Sequence, residues 1–534
     1  GPGGLNTLTG VWGGFVDSVP MVIVSGQVKY ETTVRSSPLP LRQLGDQELD
    51  IVRVVQSICK YAAMVTDPTT IRYHLERAYY LARSGRPGPV WLDIPMNVQG
   101  AMIDESSLKA YDPKEDEIIL KTPDLKAAVE KMLARLHSAK RPVILAGGGV
   151  RASASHPLFL ELIEHLGIPV TTGWNAQDVL WDDHPLYAGR PGIIGNRGGN
   201  FAVQNSDFLL ILGSRLNIRQ VSYAWENFAR HAYKTMVDID EAELKKPTLS
   251  IDQPIHADLH DFLKTALDIL RGKDSQDLPL PAHREYVSWC RERNLKYPTV
   301  LPEYWQTKDA VNPYCFADTL FKQLPENELV VTGDGTACVV TFQAAHLKKG
   351  QRLYTNSGCA SMGYDLPAAI GACIAMGAKR LTCIAGDGSI QMNLQELQTI
   401  VTHRLPIKLF VLYNKGYHSI RQTQHAYFPD NIVGCGEESG LGFPDFGKLA
   451  AAYGIPFRRA KNHGELESRV RETLDGPGFQ MCEIVLDLNQ QFAPKLSSRR
   501  LADGRMVSAP LEDLSPFLSR EEFAQNMLVP ILKE

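Results

Sequence analysis

The stretch Gly386-Asp387-Gly388-Ser389 decides the fold of the C-terminal third of this chain. A helical pattern follows it, then an apolar run from Ile407 to Tyr413, and then Asn414. The order is a strand end, a tight glycine turn, a helix and a second strand that ends on an amide. Because a doubly wound parallel sheet gathers the carboxyl ends of its strands at one edge, we expect Asp387 and Asn414 to lie close together there.

These residue types are the ones that a hard cation and a diphosphate require. Mg²⁺ takes carboxylate, amide and carbonyl oxygens and leaves its other positions to phosphate oxygens. Glycines at a helix start allow backbone N–H groups to approach a diphosphate. A Gly-Asp-Gly alone is often a simple turn, but the helix, the apolar strand and Asn414 together favour a diphosphate held by Mg²⁺.

Composition excludes several classes of protein. The 534 residues are 44% hydrophobic and 22% charged, as in a globular protein of about three domains. A net charge of −4 with dispersed basic residues gives no reason to expect a nucleic acid or a membrane as partner. The nine scattered cysteines, the lack of a signal peptide and the lack of a long apolar stretch predict a reduced, cytoplasmic protein.

Alternating strand and helix patterns predict an α/β fold with three doubly wound parallel-sheet domains. Strands are expected at residues 20–26, 90–95, 142–149, 208–213 and 235–240, besides those around Asp387. Residues 111–122 and 273–313 are interpreted as linkers. The resulting domains are 1–112, 123–272 and 312–490, followed by an irregular surface tail at 491–534.

The chain resembles the acetolactate synthase branch of the thiamine diphosphate (ThDP)-dependent 2-oxoacid enzymes over nearly its whole length. Besides the Asp387 motif, the resemblance depends on Gly1-Pro2-Gly3 with Asn6, Gly26-Gln27-Val28, Ser84 to Val90 with Asp93-Ile94-Pro95, and Gly358 to Gly363. It implies a pyrimidine-binding domain, a central domain and a diphosphate-binding domain. It also implies active sites between subunits, hence a homodimer or a homotetramer.

The resemblance assigns roles to individual residues. Mg²⁺ ligands would be Asp387, Asn414 and the backbone carbonyl of Gly416, whose side chain is expected to matter little. Gln47 would lie near the reaction centre, and Met362 beneath the cofactor would force its bent shape. Contacts to ThDP are expected from Asn6, Gly335, Thr336, Gly358, Ser361, Met362, Gly386, Gly388, Ser389 and Tyr417. Arg421, Tyr417 and His418 are candidates to face the substrate, His418 either as a proton shuttle or as an exposed helix residue.

The central domain of the family carries FAD, usually in a structural role. Glycines admit the pyrophosphate, arginines neutralise it, and a carboxylate at a strand end suits the ribose. FAD is therefore the expected third cofactor, although some relatives keep a similar domain without a dinucleotide. The matching positions are Arg86, Gly147, Gly148, Arg215, Asp238 and Asp258.

The implied reaction is decarboxylation of a 2-oxoacid, expected to be pyruvate, followed by carboligation to a second carbonyl. Four departures from the family surround the substrate: Asp46 replaces an aromatic residue, Met96 a lysine, Thr423 a tryptophan, and Gly335-Thr336-Ala337-Cys338 a Gly-Gln-His-Gln. They suggest a different acceptor, such as a keto sugar that receives an acetyl unit. Simple decarboxylation and a non-catalytic relative are further alternatives.

One family residue has no match in this sequence. The family's activating glutamate lies upstream of the segment that matches Gly1, and Glu31 and Glu48 lie on the wrong side of the motif. We therefore expect the chain to be truncated relative to its gene product. Tyr413 also replaces the first asparagine of the family's Asn-Asn, while the second, metal-binding one is retained as Asn414.

Overall fold

The computed structural model describes residues 1–272, 278–500 and 506–532 and divides the chain into two compact units. The first unit is Gly1–Lys121 with Asn356–Ser361, and the second is Thr122–Thr355 with Met362–Glu534. The strands are β1 (Met21–Gln27), β2 (Tyr61–Met64), β3 (Pro89–Pro95), β4 (Pro142–Ala146), β5 (Val170–Thr172), β6 (Phe208–Leu212), β7 (Tyr233–Asp238), β8 (Gln253–His256), β9 (Leu329–Thr332), β10 (Arg352–Tyr354), β11 (Leu381–Gly386), β12 (Ile407–Tyr413), β13 (Phe457–Ala460), β14 (Gln480–Val485), β15 (Ser498–Arg500) and β16 (Met506–Ser508).

The α-helices are α1 (Pro2–Asn6), α2 (Leu8–Val16), α3 (Ile51–Val55), α4 (Ile71–Arg83), α5 (Met96–Gln99), α6 (Leu125–Ser138), α7 (Gly149–Ala152), α8 (His156–Leu166), α9 (Arg197–Gln204), α10 (Ile218–Val221), α11 (Glu241–Lys245), α12 (Leu259–Gly272), α13 (Pro281–Lys296), α14 (Pro313–Gln323), α15 (Thr336–Ala344), α16 (Asp365–Ala375), α17 (Asp387–Ile390), α18 (Glu396–Thr402), α19 (His418–Tyr427), α20 (Phe446–Ala452), α21 (His463–Asp475) and α22 (Arg520–Gln525). No helix in the described part of the chain is both long and apolar enough to cross a membrane.

The first unit is built on a parallel sheet of order β1-β3-β2. Alternate residues of β3 point to opposite faces, as in any strand. Trp91 packs with α2 and α3 on one face, while Val90 and Leu92 pack with α4 on the other. The predicted strands at 20–26 and 90–95 correspond to β1 and β3 and are confirmed.

The second unit contains two larger parallel sheets. The first has the order β5-β4-β6-β7-β8, and helices cover both of its faces. Along β6, Leu210 and Leu212 enter the core on one face, whereas Leu209 and Ile211 enter the core on the other. Burial on both faces explains why these strands are continuously apolar instead of alternating between apolar and polar residues.

The second sheet of this unit has the order β10-β9-β11-β12-β14-β13. The chain passes from β9 to β10 on one side and then returns to form β11 on the other side. This reversal is a topological switch point, and it opens a crevice beyond the carboxyl ends of β9 and β11. With the other two sheets, it confirms the predicted doubly wound α/β class.

The predicted linker at 273–313 is wrong at Pro281–Lys296, which form α13, and its first residues, 273–277, lie outside the described part of the chain. The hydroxyl of Tyr286 donates to Ala202 O in α9 at 2.7 Å, and Cys290 is fully buried beside it. The polar residues of α13 are spread around its exposed side, which hides the narrow buried stripe in the sequence.

The predicted surface tail is also corrected. In the described part of residues 491–534, Leu511, Leu514 and Phe523 are buried. The buried carboxylate of Glu512 accepts from Gln204 Nε2 at 2.6 Å and pairs with Arg230 Nη1 at 2.7 Å. The irregular sequence therefore covers the side of the first large sheet as an ordered segment.

Candidate active site

Asp387 lies at the carboxyl end of β11 as the first residue of α17, and 1% of it is exposed. Its Oδ2 accepts backbone hydrogen bonds from Asn414 N at 2.9 Å and Gly416 N at 3.3 Å. Burial raises the pKa of its carboxyl group to about 7, because the charged form loses its hydration. A bound cation would favour the ionised form again.

The side-chain amide of Asn414 joins two oxygens of the site. It lies 3.1 Å from Thr336 Oγ1 at one end and, at the other end, 3.3 Å from Asp387 Oδ1 and 2.5 Å from the carbonyl oxygen of Gly416. Without a cation, its NH₂ group donates to these two oxygens; with a cation the amide would reverse, so that three oxygens face the metal. Adjacent ligands around octahedral Mg²⁺ lie about 2.9 Å apart, and the separations of 3.3 Å and 2.5 Å lie on either side of that value.

Gly416 is required for a steric reason as well as for its carbonyl. Its φ is +144°, and a Cβ at this position would overlap the carbonyl oxygen of Cys435. The expectation that the side chain at this position matters little is therefore wrong. A glycine is needed here so that the loop with Asn414 and Gly416 can pass close to the backbone of Cys435.

The groups expected to bind the diphosphate lie around the same crevice. A Cβ on Gly386 would make only an ordinary contact of 3.9 Å with Ser389 Cβ, while a Cβ on Gly388 would overlap the ring of Tyr417. Gly335, with φ +81° and open surroundings, precedes α15, whose first residue Thr336 bonds Asn414. The start of a helix with an unobstructed glycine before it suits an anionic group.

The hydroxyl of Ser389, a residue expected to contact ThDP, is hydrogen-bonded within the protein. Its Oγ donates to the fully buried Asp365 at 2.6 Å and accepts from Gly363 N at 2.9 Å, so only its backbone N–H remains for a diphosphate. Asp365 was not predicted from the sequence, because an acidic residue at a helix start is usually exposed. Met362, beside Gly363, keeps 38% of its surface exposed, which leaves a large apolar side chain available to a ligand.

Two candidates to face the substrate are turned inward instead. His418 is buried, its Nε2 lies 2.8 Å from Gln490 O, and burial lowers its pKa. It is therefore not the exposed helix residue that was one expectation. Arg421 is 8% exposed and donates to backbone carbonyls rather than facing open space.

Comparison with known proteins agrees with this geometry. Residues 333–484 match the thiamine pyrophosphate enzyme C-terminal TPP-binding domain, and residues 129–266 match the thiamine pyrophosphate enzyme central domain. The acetolactate synthase large subunit of Cyanidium caldarium is 30% identical over 506 residues, which cover 93% of this chain and 82% of the relative. This chain belongs to the acetolactate synthase family.

Two further relatives are similar over most of their length. The acetolactate synthase isozyme 1 large subunit of Escherichia coli (strain K12) is 28% identical over 500 residues, 92% of this chain and 83% of the relative. Acetolactate synthase 1, chloroplastic, of Zea mays is 31% identical over 514 residues, 93% of this chain and 76% of the relative. The resemblance found in the motifs thus extends along the chain, and ThDP is the cofactor that this family uses.

Three residues that the resemblance assigns to ThDP contacts lie in the first unit. Asn6 is exposed at the end of α1. Gly358 N donates to Asp17 Oδ1 at 3.2 Å, and a Cβ on Gly358 would crowd that carboxylate. Ser361 Oγ accepts from Asn356 Nδ2 at 2.6 Å. The bond to Asp17 links residues 356–361 to the rest of the first unit, although the sequence places them in the third domain.

Gln47 is exposed on a loop of the first unit with a left-handed φ of +56°. The neighbouring Glu48 is buried and accepts from the backbone N–H groups of Val34 at 2.6 Å, Leu44 at 2.9 Å and Gly45 at 3.4 Å. A carboxylate bound by three N–H groups stabilises the loop that surrounds it. Glu48 thus supports the loop that presents Gln47.

The residues matched to FAD are divided between the units. Arg86 lies in the first unit, where its Nε donates to Ser18 Oγ at 2.9 Å. In the second unit, the others lie at or just after the carboxyl ends of the adjacent strands β4, β6, β7 and β8. They are Gly147, Gly148, Arg215, Asp238 and Asp258. Adjacent strand ends are where a dinucleotide binds in a doubly wound sheet, so these positions fit the group.

The substituted positions that the resemblance places around the substrate are exposed to solvent. Thr423 is exposed, and its Oγ1 donates back to Ser419 O at 3.0 Å within α19. Met96, the first residue of α5, is 54% exposed, and Asp46 is exposed beside Gln47. Each substitution leaves a shorter or more flexible side chain than the family residue.

Proposed function

We propose that this chain decarboxylates pyruvate with ThDP and Mg²⁺ and joins the remaining two-carbon unit to a second carbonyl compound. The observation that carries the proposal is the convergence of the Asp387 carboxylate, the Asn414 side-chain amide and the carbonyl of Gly416, in a chain of the acetolactate synthase family. When bound, ThDP supplies the nucleophilic carbon and the electron sink for decarboxylation.

The residues of the chain would bind and orient the reactants. Asp387, Asn414 and Gly416 would hold Mg²⁺, which neutralises the diphosphate. The backbone at Gly388 and Gly335 would approach the diphosphate closely. The exposed Met362 would support the cofactor ring. An apolar surface at this place favours loss of carbon dioxide, because the reacting species carries less charge afterwards.

Calorimetry of ThDP binding tests the metal assignment. The wild-type chain should bind ThDP only when Mg²⁺ is present. Asp387→Asn should weaken this binding by about 100-fold, because the single charged ligand is lost. Asp318→Asn in α14 is the matched control, since that carboxylate pairs with Lys322. Equal ThDP affinity in Asp387→Asn and wild type would remove the metal assignment.

The acceptor is proposed to be larger or more polar than a 2-oxoacid, and a keto sugar is the second candidate. The exposed, short Thr423 and the exposed Asp46 support this choice. Incubation with ¹³C-labelled pyruvate distinguishes the alternatives. Labelled acetolactate indicates the family reaction, and labelled acetaldehyde indicates simple decarboxylation. Label that appears in product only after a keto sugar nucleotide is added supports the sugar acceptor, and no product at all supports a non-catalytic relative.

FAD is proposed as a structural cofactor of the first large sheet in the second unit. Gly148, Arg215 and Asp238 at adjacent strand ends support the assignment. Gly147 supports it less, because its lack of a side chain is already needed where it meets Gly213 and Ser214. A gently purified protein should be yellow with a flavin absorbance near one equivalent. A colourless protein that takes up no added FAD would exclude it.

We further propose a homodimer or homotetramer in the cytoplasm, with a small-molecule 2-oxoacid as substrate. Family membership supports the assembly, and nine free thiols suit a reducing compartment. Light scattering after size-exclusion chromatography should give a mass of at least twice 59.2 kDa. A monomer at micromolar concentration with ThDP and Mg²⁺ present would contradict the assembly.

A further inference from the structure

A buried guanidinium lies behind the proposed metal ligands. Arg421, on α19, donates from Nη1 to Asn414 O at 3.2 Å and from Nη2 to Lys415 O at 2.9 Å. Nη2 also lies 3.4 Å from Cys435 O. The three acceptors are backbone carbonyls from two separate segments, and charge-assisted bonds of this kind are about twice as strong as neutral ones.

The guanidinium occupies a slot that glycines create. A Cβ on Gly436 would stand 2.6 Å from Arg421 Nη2, and a Cβ on Gly416 would stand 3.0 Å from the same atom. The carboxylate of Glu438 is 3.6 Å from Nε but is more than half exposed, so that ion pair contributes little. The carbonyls are therefore the main partners of the Arg421 charge.

The peptide between Lys415 and Gly416 is bonded at both ends. Its carbonyl accepts from Arg421, and its N–H donates to Asp387 Oδ2. The carbonyl of the preceding peptide, Asn414 O, also accepts from Arg421. One peptide dipole thus lies between a positive and a negative charge, and a second carbonyl faces the positive charge. Lys415 adopts a left-handed φ of +56°, which needs such support in a residue with a side chain.

We propose that Arg421 is a positioning residue for the cation: it fixes the peptides 414–416 so that Gly416 O stays beside the oxygens of Asp387 and Asn414. The inference rests on the metal site proposed above. Arg421 does not touch the cation, and its positive charge alone would weaken cation binding. If only the charge of Arg421 mattered, removing the guanidinium would strengthen Mg²⁺ binding. If Arg421 positions the peptides, removing it weakens Mg²⁺ binding.

The test compares Arg421→Ala and Arg421→Lys with wild type by calorimetry of ThDP at stepped Mg²⁺ concentrations. Positioning predicts that the Mg²⁺ concentration for half-maximal ThDP binding rises about tenfold or more in both variants, as expected when a residue behind the ligands is lost. Arg421→Lys keeps the charge but cannot span the three carbonyls. An unchanged or lower Mg²⁺ requirement in either variant would overturn the proposal.

Gln424→Ala is the matched control. Gln424 bonds both backbone groups of Val433, at 2.9 Å and 2.8 Å, so its loss loosens the segment around Cys435 without touching residues 414–416. We expect less than about a threefold change in the Mg²⁺ requirement for this control. A change as large as that of Arg421→Ala would show that general loosening is responsible and would overturn the proposal.

Hydrogen exchange gives a second readout in protein without ThDP or Mg²⁺. The amides of Asn414 and Gly416 should exchange at least about tenfold faster in Arg421→Ala, and those of β11 should stay unchanged. Unchanged exchange at 414–416 would overturn the positioning role. If wild type shows no Mg²⁺-dependent ThDP binding but the exchange result holds, the proposed function fails while the Arg421 contact stands.

Discussion

At the scale of single residues, the site depends on glycines and buried acids whose need is visible only in three dimensions. Asp387 and Asn414 follow apolar strands, so their place at a sheet edge could be predicted from the sequence. The steric need for Gly416 and the burial of Asp365 could not, because each depends on a segment distant in the chain. Asp365 accepts from Ser389, which is 24 residues away in the chain.

Asp365 predicts a pH dependence of stability. Burial raises its pKa from 3.8 to about 6. Since the folded state binds the proton more tightly, this group stabilises the fold fully below about pH 4, and the contribution is lost as the pH rises through about 6. Asp365→Asn stays neutral, so the free energy of unfolding of wild type relative to this variant should fall by on the order of 2 kcal/mol between pH 4 and pH 7.

Urea unfolding of both proteins across that pH range measures the difference. The Asp365→Asn variant also loses one of its acceptor oxygens, which weakens the bond that Leu366 N donates to the carboxylate at 3.0 Å, but this loss does not vary with pH. A constant difference from pH 4 to pH 7 would therefore contradict the raised pKa while leaving the structural role of Asp365 intact.

At the scale of secondary-structure elements, apolar strands were predictable and amphipathic helices with few apolar residues were not. Strands β4, β6, β7, β11 and β12 are buried on both faces, and such runs are clear in a sequence. Helix α13 buries a narrow stripe that includes Tyr286 and Cys290, amid the charged and polar residues that dominate its sequence PAHREYVSWCRERNLK. The prolines around this helix favour the interpretation of the segment as a linker. Its contacts with the rest of the fold nevertheless stabilise it as a helix.

Helix α13 can be tested by a substitution on its exposed side. Ser288 lies on that side, and its hydroxyl donates back to Arg284 O at 3.0 Å. Ser288→Pro should destabilise the protein by about 3 kcal/mol, because proline removes a helical hydrogen bond and clashes with the preceding turn. Ser288→Ala should change stability by less than about 0.5 kcal/mol. Equal melting temperatures for the two variants would mean that residues 281–296 contribute no helix to the folded state.

At the scale of the whole molecule, long-range polar contacts attach the C-terminal segment to the first large sheet of the second unit. Glu512 bonds Gln204 and Arg230, which are far from it in sequence, and Leu528 N donates to Asn205 Oδ1 at 2.6 Å. Contacts of this range leave no local pattern, which is why the segment was interpreted as a surface tail. Its burial makes it part of the fold that supports the proposed FAD positions.

The contribution of this attachment to the stability of the protein can be measured by substituting Glu512. Glu512→Ala leaves the mostly buried Arg230 without its carboxylate and should cost about 3 kcal/mol. The neighbouring Asp513 pairs with the exposed Arg520, so Asp513→Ala should cost less than about 1 kcal/mol. Thermal unfolding of the intact chain, with hydrogen exchange in β6 and β7, compares the two variants. The double variant Arg230→Ala with Glu512→Ala should recover part of the lost stability, because no charge then remains buried alone. If the losses of the two single variants simply add in the double variant, the two side chains stabilise the segment independently.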